Sequence, residues 1–278
     1  MVTLSPSAVA TADGLWTASG SSLVRIDAKT NVPGPPVALP SAACASLVAA
    51  FDSVWAPLCA AGMVARVDVK TFVVTTPLTL PVADAAGRLD SAVGSVWIAS
   101  DAKGVVSRVD PDGSNVVAEV FLARGPAAVA AGDEALWITS AESDTLTRVN
   151  PHTNAVVETV RVGPKPGRVA VGEGGVWTLN RGDGSVSRVD PATNKVVATI
   201  VVDGAGQGDI ATGAGSVWVS APGLPLVRID PRTNRAVQRF TGEGGGAVIV
   251  AHNSVWVAAG AGLTWRLDPT LVATLRPE

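Results

Sequence analysis

The chain has 278 residues, of which 47% are hydrophobic and 16% charged, and its formal net charge is −3. That composition excludes a disordered chain and carries no bulk-charge signature of a nucleic-acid or anionic-membrane partner. No apolar run approaches the ~18 residues of a membrane span, and "MVTLSPSAVA" lacks a charged n-region followed by an apolar core, so a soluble chain is expected.

The dominant signal is an internal repeat. A short apolar run ending in Trp recurs at Trp16, Trp55, Trp97, Trp137, Trp177, Trp218 and Trp256, with spacings of 39, 42, 40, 40, 41 and 38 residues. Nine to eleven residues after each Trp comes an Arg, at Arg25, Arg66, Arg108, Arg148, Arg188, Arg228 and Arg266. The units run approximately 5–40, 44–80, 86–123, 126–163, 166–203, 207–242 and 245–278.

In the first unit, Met1–Leu4 leads into an inner strand that has Ser7 near its start. The second unit holds both cysteines, in "CASLVAAFDSVWAPLC". If its hairpin turns at Phe51–Asp52, residues whose numbers sum to 103 face each other, as Cys44 and Cys59 do. Opposed residues have Cα separations compatible with a disulfide, which predicts a Cys44–Cys59 bond and an exported location, periplasmic or secreted. The alternative is a pair of buried thiols in a cytosolic protein. The spacing is neither that of a C-x-x-C redox pair nor, without a histidine nearby, that of a metal site.

The third unit has Asp90 or Arg88 near its inner-strand start, and "DPDGSN" (110–115) between its third and fourth strands. That hexapeptide resembles the opening of a calcium loop but lacks the later ligands, and it sits where the other units turn. The fourth unit follows Arg124, begins its inner strand near Ala128, and places His152 in an "NPHTN" turn. The fifth shows four strand-like runs, "GRVAVG", "GVWTLN", "SVSRVD" and "KVVATIVV", separated by Gly, Asp, Asn and Pro. Around them lie Lys165, Arg168, Asn180 and Arg181. The sixth brings Gln207 and Asp209. The seventh brings Glu243, Ala247, His252 and an aberrant Trp265, expected to fill the seam with the first unit, and "LVATLRP" (271–277) reads as its fourth strand.

Four antiparallel strands repeated seven times predict an all-β fold, a single seven-bladed β-propeller over 1–278, since one four-stranded sheet cannot bury both faces alone. The expected unit is a monomer. Seven Trp and seven Arg at one blade position read as structure: Trp between adjacent sheets, and Arg with its guanidinium on a neighbouring carboxylate or carbonyl.

The pattern "GSVWVS…VRIDPRTNRAV" resembles the virginiamycin B (streptogramin) lyase-like and YVTN-type propeller repeats, over essentially the whole chain. The resemblance implies that ligands bind where the loops entering the inner strands meet those joining second to third strands, at the mouth of the central channel. Ser7, Ser46, Asp90 (or Arg88), Ala128, Arg168, Asp209 and Ala247 fall there, with Arg124, Lys165, Asn180, Arg181, Gln207 and Glu243 in nearby loops. One reading is a polar pocket for a small-molecule or peptidic ligand, with Arg168 and Arg181 on a carboxylate. A second makes Asp90, Arg168 and Asp209 catalytic, as base or as ligands of a divalent metal that the sequence does not require. A third is a docking scaffold whose mouth holds only a solvated ion pair. The family's lyases are understood to use channel-mouth histidines and a glutamate with magnesium. His152 and His252 are both expected on the opposite face, which argues against that chemistry.

Overall fold

The computed structural model describes residues 8–44, 46–75, 77–82, 89–101, 103–122, 125–202, 204–242, 245–258 and 264–274. Seven antiparallel sheets follow one another along the chain and close into a ring. Their inner strands are Ala8–Thr11, Val48–Ala50, Leu89–Ala92, Pro126–Gly132, Pro166–Gly172, Asp209–Gly213 and Val248–Ala251. Blade 5 shows the full pattern, with Gly175–Asn180, Ser185–Asp190 and Lys195–Val201 following its inner strand outward in simple meander order.

The ring is held by its seams. Seven apolar clusters join neighbouring sheets, and each contains one repeat Trp. Trp256 closes the circle by packing with Leu15 and Ile26 of blade 1. Flat, fully buried indoles fill the wedge between twisted sheets and remove a large apolar area from water.

The repeat Arg acts one layer further out. In five blades its guanidinium lies over the Trp of its own blade, 4.8–5.8 Å from the ring centroid. It also donates across the seam into the next blade's turn. Arg108 reaches the Pro151 carbonyl and Asn154 Oδ1, Arg148 reaches Pro191 and Asn194, and Arg188 reaches Pro231 and Asn234. Arg266 does the same to Ala28 and Asn31, a second closure of the ring. The turn carbonyls and Asn side chains therefore take the role expected of a neighbouring carboxylate or carbonyl.

Two seams depart from this. At blade 2 the Asn position is occupied by Phe72, so Arg25 stacks on that ring and folds back to Asp13. At blade 7 there is no such turn for Arg228, which bonds Ser216 and Gln238 within its own blade.

The end of the chain corrects the sequence reading. Among the described residues the seventh sheet has three strands, and Pro269–Thr274 is a short helix, where "LVATLRP" (271–277, of which 275–277 lie outside the described residues) was expected to be a fourth strand. The cause is local. In blades 4 to 6 the turn after the third strand makes one helical-type bond, such as Asn194 N–H to the Asp190 carbonyl at 2.8 Å, and then reverses through Asn in the left-handed region, φ 55° at Asn194. Val272 makes the same bond to Asp268, at 3.0 Å, but a β-branched residue resists positive φ, so the chain continues helically. Asp268 caps this helix, and Pro269 opens it. Val272 is buried between blades 6 and 7, and its carbonyl accepts from Gln238. Trp265 is 40% exposed rather than filling the seam with blade 1, whereas its counterparts Ser107 and Thr147 are buried.

The cysteine register holds. Val48 faces Trp55 and Ala50 faces Ser53, and Cys44 and Cys59 form a disulfide with Cα atoms 5.7 Å apart. The "DPDGSN" segment is a turn in which the Asp110 carboxylate accepts from the Ser114 and Asn115 N–H groups. Among the described residues no helix is long and apolar enough to cross a membrane.

Candidate functional site at the channel mouth

Antiparallel register fixes which groups share an end of the ring. The start of each inner strand faces the end of the second strand: Arg168 pairs with Leu179 and Asp209 with Ser220. The turns holding His152 and His252 lie at the other end, where His252 Nε2 is 3.4 Å from the Gly14 carbonyl. Both histidines of the chain are thus remote from the mouth.

The channel between the inner strands encloses a cavity of about 290 Å3, walled mainly by Ala and Val. Two carboxylates, Asp90 and Asp209, interrupt this wall, and Arg168 lies beside the second. Arg168 Nε lies 3.6 Å from Asp209 Oδ1, and the two side chains are only 11% and 10% exposed. Asp209 Oδ1 also accepts from Ile210 N–H, and Oδ2 accepts from Val248 N–H of blade 7 at 3.2 Å. Asp90 behaves alike: its oxygens take the Ser91 N–H and, at 2.7 Å, the Ala131 N–H of blade 4. Inner strands of adjacent blades share no ladder, so these carboxylates tie neighbouring backbones that would otherwise leave N–H groups facing the channel.

Asp90 does not stand on the ring with the other two. It faces Trp97, as Ala170 faces Trp177 and Ala211 faces Trp218, two residue pairs deeper than Arg168 and Asp209. The counterpart of Arg168 in blade 3 is residue 88, which lies outside the described residues, as do Ser7, Arg124 and Glu243. Asp90 lies seven residues before its Trp, whereas the other six positions lie nine before theirs, the offset at which the alternative, Arg88, falls.

The loop residues divide. Asn180 is fully buried, its amide donating to Ser185 and Ser187 and its oxygen accepting from Thr178, so it braces the blade 5 hairpin rather than facing solvent. Lys165 is exposed, and its backbone links Asp144 to Arg181. Arg181 lies across Gly167, where an added Cβ would sit 2.2 Å from its Nε, and burial draws the guanidinium below its ordinary pKa. Gln207 and Arg181 line a shared depression of about 530 Å3 between blades 5 and 6, which residue-by-residue reading of the sequence did not reveal. Among the described residues no group of three His, Cys, Asp or Glu side chains is placed to hold a metal ion.

No protein-family description and no curated protein matches the sequence. Solved structures do. Virginiamycin B lyase from Staphylococcus aureus superposes with a TM-score of 0.78 at 15% identity, over 94% of this chain and 93% of that one. The fold is that of the streptogramin lyases. A catalytically inactive virginiamycin B lyase variant from the same organism, solved with quinupristin, gives 0.74 at 18% identity over 91% and 90%. A computationally designed protein gives 0.75 at 12% identity over 96% of this chain and 84% of that one. A lyase-like fold is thus compatible with very different histories, and chemistry has to be argued from the mouth.

Proposed function

We propose that this propeller is an extracytoplasmic binding protein that takes a small-molecule or peptidic ligand at the mouth of its central channel. The observation that carries this reading is the Arg168–Asp209 pair: two nearly buried opposite charges at the end of a channel walled mainly by Ala and Val. Burying an ion pair costs several kcal/mol per ion in desolvation, and an apolar pair would close the ring more cheaply. Arg181, Lys165 and Gln207 add exposed polar groups at the same end. The disulfide in blade 2 supports an oxidising compartment. A catalytic reading would make Asp90 or Asp209 a base, but their oxygens are already engaged by backbone N–H groups, which favours a structural role.

The test is thermal unfolding of the wild type and of Arg168→Ala/Asp209→Ala in a panel of divalent metals, lactones, cyclic depsipeptides, amino acids and a quinone. A ligand at a hundredfold its Kd stabilises by about 2.7 kcal/mol, enough to raise the midpoint by several degrees. A rise in the wild type that the double variant loses supports the site. A flat panel in the wild type removes it and leaves the docking scaffold.

A further inference from the structure

Most of the described arginines are partnered; Arg181, on the blade 5 hairpin, and the exposed Arg235 are not. Arg108, Arg148, Arg188 and Arg266 each engage carbonyl and Asn oxygens across a seam, and Arg168 has Asp209. Arg181 makes no side-chain hydrogen bond or ion pair with any described residue, although its stem is pressed onto Gly167 and its guanidinium is partly withdrawn from water. Its backbone is fixed: Arg181 N–H donates to the Lys165 carbonyl, and the next N–H donates to the Pro164 carbonyl. A partly desolvated cation on a rigid hairpin, without a counter-ion among the described residues, is poised for an external one.

The depression beside it is lined by Arg181, Asp183, Gln207, Pro222 and the bare backbone of Gly182 and Gly204. At about 530 Å3 it has the size of a small-molecule site. Asp183 spends Oδ1 on the Ser185 N–H at 2.9 Å and forms no ion pair with Arg181, two residues away. One depression therefore presents one positive and one negative side chain that do not neutralise each other. A dianion such as phosphate would meet Asp183 as well as Arg181, whereas a ligand carrying both charges satisfies both.

We propose that this depression binds a zwitterion, an amino acid or short peptide, with its carboxylate on the Arg181 guanidinium and its ammonium on Asp183, and with the Gln207 carboxamide between them. The inference rests on the channel-mouth reading and moves the ligand off the axis, into the seam between blades 5 and 6. The guanidinium fork suits a carboxylate, and charge-assisted bonds of this kind are the strong ones.

Calorimetric titration of the whole protein with glycine, leucine, alanyl-alanine, their C-terminal amides, their N-acetyl derivatives and inorganic phosphate tests this. Binding of a zwitterion is expected, with amidation and N-acetylation each weakening it by at least ~10-fold. Arg181→Ala should abolish binding. Asp183→Asn, which keeps the Ser185 cap, should erase the preference for a free ammonium over its N-acetyl form. A free amino acid and alanyl-alanine differ in length, so the tighter of the two names the source. Unchanged binding in a folded Arg181→Ala, or phosphate binding as tightly as the zwitterions, would overturn the inference. Loss in Arg168→Ala with retention in Arg181→Ala would overturn it and leave the axial reading standing. No binding to the wild type by any probe here or in the wider panel would remove both.

Discussion

Arg188 holds several partners at once: the Pro231 carbonyl, Asn234 Oδ1, the Gly174 carbonyl and the face of Trp177 at 5.0 Å. Arg228, at the same repeat position, reaches only Ser216 and Gln238 of its own blade. Equal residues at equal positions should therefore carry unequal energies. Arg188→Ala is expected to cost about 2–3 kcal/mol, through lost charge-assisted bonds and the cation–π contact, and Arg228→Ala about 1 kcal/mol. Urea denaturation of the two variants checks this, and equal losses would contradict the seam role. The Trp–Arg spacing was plain in the sequence because it recurs seven times. The destination of the guanidinium was not, since the partner lies 43 to 46 residues away in the next unit. The Asn of "D-P-x-T-N" was read only as a turn former, yet it also accepts the neighbour's Arg.

At the scale of elements, the turns after the third strands repeat one device. Asp27, Asp68, Asp190 and Asp230 each accept backbone N–H groups from the residues two and three positions on, which holds their carboxyls below the ordinary value of 3.8. In Asp268 the Thr270 hydroxyl contributes most. The folded pKa lies below the unfolded one, so the stabilisation is fully present above 3.8 and is lost as pH falls through the folded values. Urea midpoints should therefore be flat from pH 5 to 7, on the order of this carboxylate range, and drop below about pH 4. Replacing Asp190 with Asn, the residue blade 4 uses at Asn150, should make that drop shallower. The hairpin of blade 2 offers a second prediction. Its disulfide closes a loop with a sequence separation of 15 residues. Reduction, or Cys44→Ser with Cys59→Ser, should cost about 3 kcal/mol and lower the melting temperature by several degrees. An unchanged melting temperature under reductant would contradict it. This pairing was legible because hairpin register is simple arithmetic once the turn is placed. The terminal helix was not, because strand propensity in "LVATLRP" outweighed a quieter signal, the missing Asn after Asp268-Pro269.

For the whole molecule, sequence periodicity settles the fold and says much less about the site. A residue that recurs seven times is explained by the ring, so function has to lie in what does not recur. That subtraction found the Arg168–Asp209 pair, which the structure brings together at the mouth, and Arg181 with Gln207, which share a depression. It also admitted Asn180, whose burial only the packing of its hairpin reveals, and it left Asp90 and Arg88 as alternatives, of which Asp90 lies in the channel wall. The central claim is that the mouth, and not the opposite face or the outer strands, receives the ligand. The measurement that tests it most directly is amide chemical-shift mapping of the isotopically labelled protein with the first ligand to stabilise it. The account predicts perturbations confined to Pro166–Arg168, Arg181–Gly184 and Gln207–Asp209, with the turns at His152 and His252 unmoved. Perturbations centred on those two turns, or along the outer strands, would contradict it.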